Sequence, residues 1–185
     1  MTTNIEHTGI EQRDGVLIGP IRRPRNLAST QRGSIHDDAT AQKLGFRGGT
    51  VAGSIHMEQF PPLLVRVFGE GWFETGSLST YFRNATTDGE PVRASVGLVQ
   101  RGATDAQVPV RMERDDGTLV LEGTASIGTP EEPSMIARKL AEPREEGELR
   151  ILREIQPGTE LTPVHARLRQ QDVERRLAVI TEPMP

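Results

Sequence analysis

The sequence predicts an α+β fold in which an antiparallel sheet packs on one central helix. Two observations carry this expectation. Apolar residues follow helical spacing from Val51 to about Phe60 and continue through Leu63-Leu-Val-Arg-Val-Phe68. From Leu78 to Ile127 the spacing changes to period two, in four runs parted by turn clusters. Amphipathic helices repeat near 3.6 residues, whereas half-buried strands repeat every second residue. A helix and a sheet that each carry one apolar face bury it by packing together.

In chain order, residues 1–14 are polar and read as a loose N-terminal segment. Val16-Leu-Ile-Gly-Pro-Ile21 reads as a first short strand. Arg22-Arg-Pro-Arg25 follows as a basic, proline-broken loop, either solvated charge or a clamp for an acidic ligand group such as a phosphate. Asp38 reads as the N-cap of a short helix through Leu44, with Gly45 as its stop. Gly48-Gly49 permits close backbone approach or positive φ. In the next helix Val51, Ile55 and Gln59 share one face, while Ala52, His56 and Phe60 share another. Pro61-Pro62 is expected to kink or interrupt it, because each proline lacks a backbone donor.

The strand region follows. Leu78, Thr80 and Phe82 alternate with Ser79, Tyr81 and Arg83, and Thr86-Thr-Asp-Gly-Glu-Pro91 is a turn cluster. Val92, Ala94, Val96 and Leu98 form a second alternating run, and Val108, Val110 and Met112 a third. Asp115-Asp-Gly117 is a hairpin signal that leads into a last strand from Thr118 to Ile127. The four strands are expected to meander. Beyond Thr129, Glu131-Glu-Pro133 reads as a linker and Ser134 to Leu140 as a helix. Glu145-Glu-Gly-Glu148 reads as a solvated loop, and Pro163 to Ile180 as a second helix. The chain thus divides into a segment 1–14, a folded domain 15–128 and an extension 129–185, either a packing arm across a subunit or a lid.

Composition narrows the function. A formal net charge of −4 over 185 residues argues against a nucleic-acid surface or an anionic membrane as partner. The chain has no cysteine, which excludes disulfides and thiolate chemistry. The histidines at 7, 36, 56 and 165 lack metal-ligand spacing, so neither a metal nor a cofactor is expected. No apolar run reaches the ~20 residues that span a bilayer, and the first residues lack the basic-then-apolar order of a signal peptide. A cytoplasmic protein is the expectation. Hydrophobic content of 35% is low. A modest core and exposed sheet edges lead to the expectation of a homodimer with its central helices side by side.

The run from Gly33 to Phe60 joins a polar loop with His36, a short helix, a Gly-rich turn and a helix carrying His56 and Glu58. With the strands that follow, it resembles the MaoC-like dehydratase and R-specific enoyl-CoA hydratase family over about residues 15–128. The resemblance implies a single hotdog fold, in which the sheet wraps round one central helix, and an acyl-thioester site. The family motif Asp-x-Asn-Pro-x-His stands here as Gln31-Arg-Gly-Ser-Ile-His36, with the histidine kept and the aspartate and asparagine absent. Its His-x-Asp signal stands as His36-Asp37-Asp38, and its Ala-His-Gly helix start as Val51-Ala-Gly-Ser54.

In that resemblance His36 exchanges a proton with a water or hydroxyl at the β-carbon of an acyl thioester. Imidazole suits the task because it titrates near neutral pH. The amides of Gly53 and Ser54 at the helix start would hold the thioester carbonyl; the alternative for Gly53 is close packing on the sheet. Glu58 has the glycine-to-glutamate spacing of the acyl-carrier-protein dehydratases, from Gly53 to Glu58. It is either a second acid/base group or a structural glutamate paired with arginine at a dimer surface. Asp37 is the other candidate partner of His36. Gln31 cannot exchange a proton and would only orient a water or carbonyl. His56 points about 160° away from Glu58 on the helix, and is either a substrate-binding group or an interface or core histidine. The implied activity is a lyase step, hydration or dehydration, on a coenzyme A or carrier-protein thioester or a similar activated carbonyl compound. Two alternatives stand beside it: a thioesterase using Glu58, and a non-catalytic protein that binds an acyl ligand or pairs with a related subunit.

Overall fold

Residues 9–100, 102–143, 147 and 155–182 are described by a computed structural model of the chain. The expectations for residues 1–8 and for most of the charge run at 145–148 lie outside the described residues. Two short strands, β1 (Glu11–Arg13) and β2 (Val16–Ile18), pair as a hairpin. Its turn is Asp14-Gly15, with φ of 50° and 78°. A two-residue Asp-Gly turn with positive φ at both positions matches the twist of a hairpin. This corrects the expectation of a loose segment through residue 14. The signal lies in the sequence, and pairing of β2 with β4 (Val92–Gly97) gives the hairpin its template.

Three more strands, β3 (Gly76–Phe82), β5 (Ala106–Arg114) and β6 (Leu119–Ile127), complete a six-stranded antiparallel sheet in the order β1-β2-β4-β5-β6-β3. β4, β5 and β6 meander as expected, with a turn at Gly117 whose φ is 79°. β3 does not join them beside β4. Leu17 of β2 already occupies that edge opposite Val96. β3 instead lines the far edge of β6, from Gly76 opposite Ile127 to Phe82 opposite Leu121. Residues 83–91 therefore cross back over the helical side, and this crossing builds part of the site described below.

The helices are α1 (Asp38–Lys43), α2 (Gly53–Met57), α3 (Pro61–Phe68), α4 (Trp72–Thr75), α5 (Met135–Ala141) and α6 (Gln170–Leu177). The helix expected over 51–60 is the shorter α2. Pro61 and Pro62 begin α3, in the first turn where no backbone donor is required. α3 sets Leu63 and Leu64 against Val92, Ala94, Val96, Val108, Val110 and Met112, with Phe60 sealed at 0% exposure. Burying each large aliphatic side chain contributes roughly 1.5–3 kcal/mol. An antiparallel sheet with a central helical segment on one face is the hotdog architecture, followed here by a C-terminal extension.

The extension differs from its expected form. α5 falls where the first helix is expected, but within the second expected helix, Pro163 to Ile180, helix is confined to α6, and residues 155–169 are exposed and irregular. Leu161, Val164 and Leu168 are 61%, 90% and 78% exposed, so no apolar face is buried to hold a longer helix together. α6 and the residues after it dock on the chain's own body. Arg175 donates to the Leu27 carbonyl at 3.0 Å, Arg176 Nε to Glu58 at 2.9 Å, and Arg22 to Glu182 at 2.9 Å. The basic loop is committed to similar partners, since Arg23 donates to the Gly89 carbonyl and Arg25 to Asp88. Among the described residues no helix is long and apolar enough to cross a membrane.

Candidate active cleft

Main-chain hydrogen bonds tie three separate segments together. Thr50 N donates to the Ile35 carbonyl and Val51 N to the Thr86 carbonyl, both at 2.9 Å. Thr50 also pairs with Thr87 in an isolated antiparallel bridge. Between these segments and the start of α2 opens a cleft of about 290 Å³. Ile35, Phe46, Val51 and Phe82 give it an apolar lining, and His36, His56, Thr86 and Asn84 add polar groups.

His36 stands on the loop before α1. Its Nδ1 lies 2.7 Å from the Thr50 carbonyl oxygen. A carbonyl only accepts, so Nδ1 carries a proton, and in the neutral ring the lone pair is on Nε2. The His36 carbonyl accepts from Asn26 Nδ2 at 2.8 Å. Gly49 is needed beneath it, because a Cβ there would collide with that same carbonyl oxygen. The Gly48-Gly49 pair thus serves close approach rather than positive φ.

The N-cap expected at Asp38 falls on the aspartate before it. Asp37, not Asp38, is the N-cap of α1; it accepts from the Thr40 hydroxyl at 2.6 Å and from the Thr40 amide at 3.2 Å. The hydrogen bond from the Thr40 hydroxyl holds its carboxyl below the usual aspartate range. Asp38 instead reaches across the Gly-rich turn to accept from Gly49 N at 2.7 Å. Neither aspartate lines the cleft. Gln31 is exposed in a turn, its amide bonded to the Ala28 carbonyl, and it also lies outside the lining.

On the opposite wall α2 contributes Gly53 and His56. A Cβ at Gly53 would lie 2.8 Å from Phe82 Cζ, so glycine lets the end of β3 close over the helix. Ser54 is exposed. His56 is 2% exposed, and its Nε2 lies 2.7 Å from Thr86 Oγ1. Among the described residues its Nδ1 finds no hydrogen-bond partner. Burial pushes this imidazole down to about 4, against a weak opposing pull from Glu90. Glu58 leaves α2 on another side, where Arg176 holds its carboxylate outside the cleft lining.

The structure therefore brings His36, Gly53 and His56 to one cleft and leaves Gln31, Asp37, Ser54 and Glu58 outside its lining. Thr86 joins the site unannounced by any sequence motif, with Arg83 and Asn84 beside it in the lining. They arrive through the crossing of residues 83–91, which follows from β3 pairing with β6. Among the described residues no group of three or more His, Asp or Glu side chains is placed to hold a metal ion.

No family model and no curated protein matches the chain. Solved structures do resemble it in fold. An (R)-hydratase from A. caviae involved in PHA biosynthesis shares 20% identity over 68% of this chain and 99% of that one, with a TM-score of 0.48. R-hydratase PhaJ1 from Pseudomonas aeruginosa shares 18% over 76% and 94%, with a TM-score of 0.46. The C-terminally truncated HadBC complex from Mycobacterium tuberculosis, a 3R-hydroxyacyl-ACP dehydratase, shares 13% over 63% and 96%, with a TM-score of 0.40. These likenesses are of fold.

Proposed function

We propose that the cleft receives the acyl part of a thioester, or of a similar activated carbonyl compound, and that His36 moves a proton at its β-carbon so that water is added or eliminated. The observation that carries this reading is the pose of His36. Its Nδ1–H is spent on the Thr50 carbonyl at 2.7 Å, which leaves Nε2 as the base in a cleft whose apolar lining is Ile35, Phe46, Val51 and Phe82. In hydration, Nε2 takes a proton from water as the oxygen bonds to the β-carbon, and the resulting imidazolium gives a proton back at the α-carbon. The first N–H groups of a helix lack intrahelical partners; that of Gly53, which lines the cleft, is the proposed anchor for the carbonyl, and Ser54, exposed and outside the lining, loses that part. The hydrolytic alternative rested on Glu58, and a carboxylate held by Arg176 outside the cleft gives it no support.

A second reading has its own observation. Among the described residues no carboxylate lines the cleft, so a protein that binds an acyl ligand without turning it over also fits. Crotonyl-CoA hydration, followed beside thiol release and beside binding of unreactive butyryl-CoA, separates the readings. Hydration lost in His36→Ala supports the lyase. Binding without turnover supports the second reading, and thiol release would restore the hydrolytic one. The functional unit in this proposal is a homodimer, since β3 is an open edge strand whose Tyr81 and Phe82 are 41% and 42% exposed. Sedimentation as a monomer at micromolar concentration would refute that part.

A further inference from the structure

His56 is a buried imidazole with one nitrogen engaged and the other orphaned, on the wall of the same cleft as His36. We infer that His56 and Thr86 form a second functional pair, in which His56 Nε2–H fixes the Thr86 hydroxyl so that it donates its own proton to the substrate's carbonyl oxygen. The inference rests on reading the cleft as an acyl-thioester site, and it assigns the carbonyl a side-chain donor in addition to any main-chain amide.

The argument starts from the orphaned atom. In a neutral imidazole one nitrogen is a donor and the other an acceptor. If the proton sat on Nδ1, a buried N–H would be left without an acceptor, and such orphans are rarer than underused acceptors. The proton is therefore placed on Nε2, which donates to Thr86 Oγ1 over 2.7 Å. A hydroxyl that accepts along one direction turns its proton elsewhere, and Thr86 borders the cleft. Its main chain is fixed too, since the Thr86 carbonyl accepts from Val51 N at 2.9 Å. Phe82 covers the imidazole, with ring centroids 6.4 Å apart. Burial keeps the ring neutral at working pH, with its proton value pushed down to about 4. A charged ring would be protonated on both nitrogens and would fill the cleft with charge, whereas the neutral ring imposes a direction on the hydroxyl. Thr86 is then the group that touches substrate, and His56 is a positioning residue. The pair also answers the missing carboxylate. With Gln31, Asp37 and Glu58 outside the lining, His36, His56 and the ion-paired Arg83 are the titratable groups left in the cleft.

The test has two parts, and the first needs no turnover. Ring-nitrogen NMR of the full chain at neutral pH should show His56 neutral with its proton on Nε2. Thr86→Val should disturb that ring state and Thr86→Ser should restore it. A proton on Nδ1, or a charged ring, overturns the proposal. The second part compares crotonyl-CoA hydration in the wild type, Thr86→Val, Thr86→Ser and His56→Gln, with melting temperature read on each sample. Removing one donor to a developing oxyanion lowers kcat about 10²-fold. That loss is expected in Thr86→Val with KM changed far less, and the hydroxyl of Thr86→Ser should recover most of it. Full turnover in Thr86→Val overturns the proposal while the hydratase reading stands. If the wild type does not hydrate crotonyl-CoA, that reading fails and butyryl-CoA affinity decides the pair's role. Weaker binding in Thr86→Val but not in Thr86→Ser supports the carbonyl donor. Equal binding, or none by the wild type, overturns it.

Discussion

Replacing His56 by glutamine should flatten the acid limb of the protein's stability curve by an amount that its burial sets. The imidazole is lowered from 6.5 to about 4 by desolvation. Above pH 6.5 the ring is neutral whether the chain is folded or not, and it adds no pH dependence. Between 6.5 and 4 the unfolded chain takes up a proton that the folded chain refuses, so stability falls as pH falls. Below 4 both states are charged and the slope vanishes. Each unit on the pH axis within that window corresponds to about 1.4 kcal/mol. Moving from pH 7.5 to pH 5.0 crosses about 1.5 units of it, so His56 should account for a loss of about 2 kcal/mol. Urea unfolding at both pH values, at one protein concentration, gives the quantity directly. The wild type should lose about 2 kcal/mol more than His56→Gln over that interval, because other titrations are common to both proteins. Equal losses would refute the reasoning, since a ring that titrates alike in both states is not desolvated by the fold.

Three further outcomes follow from the same geometry. His36→Ala should cut crotonyl-CoA turnover per folded molecule by about 10²–10⁴-fold with its melting temperature little changed, and near-normal turnover from a destabilised protein would remove His36 from the chemistry. Gln31→Asp should leave hydration unchanged, because Gln31 is exposed and outside the cleft lining; a large gain in that variant would contradict the placement. Gly123→Ala should be severely destabilising, by about 3 kcal/mol or more, because its Cβ would strike the Ser79 main-chain oxygen of the paired strand; chemical denaturation checks this, and a small change would mean the sheet yields there.

Period-two alternation made β4 and β5 legible, because each carries one buried and one more open face, whereas β6 is buried nearly throughout and was announced by the Asp115-Asp-Gly117 turn before it. The place of β3 was not legible in the same way. Alternation fixes which residues of a strand face the core, but not which neighbour it pairs with, and the decisive fact was that β2 already held the edge of β4. Thr86 was hidden for that reason, as a turn residue whose position depends on the crossover. Asp37 and Asp38 are equally good caps on paper, and the choice turned on Gly49 N lying within reach of Asp38. The spacing of His56 and Glu58 told that they part company, though not which one faces the cleft. That was settled by Arg176, a residue distant in the chain. Asp14-Gly15 was a readable hairpin signal that polar composition masked.

His36 is gripped largely by main-chain atoms: its ring by the Thr50 carbonyl, its neighbour's carbonyl by the Thr50 amide. No substitution at residue 50, short of proline, deletes those groups. The aim of the imidazole is therefore encoded in the path of the backbone, and the apolar wall around it is free to vary. On the proposed reading of the cleft, a library randomised at Ile35 and Phe46 would change which chain lengths and branches enter while His36 keeps its bearing. Gly49 and Gly53 are nearby positions that such a library should leave alone, since a Cβ at the first would meet the His36 carbonyl and at the second Phe82.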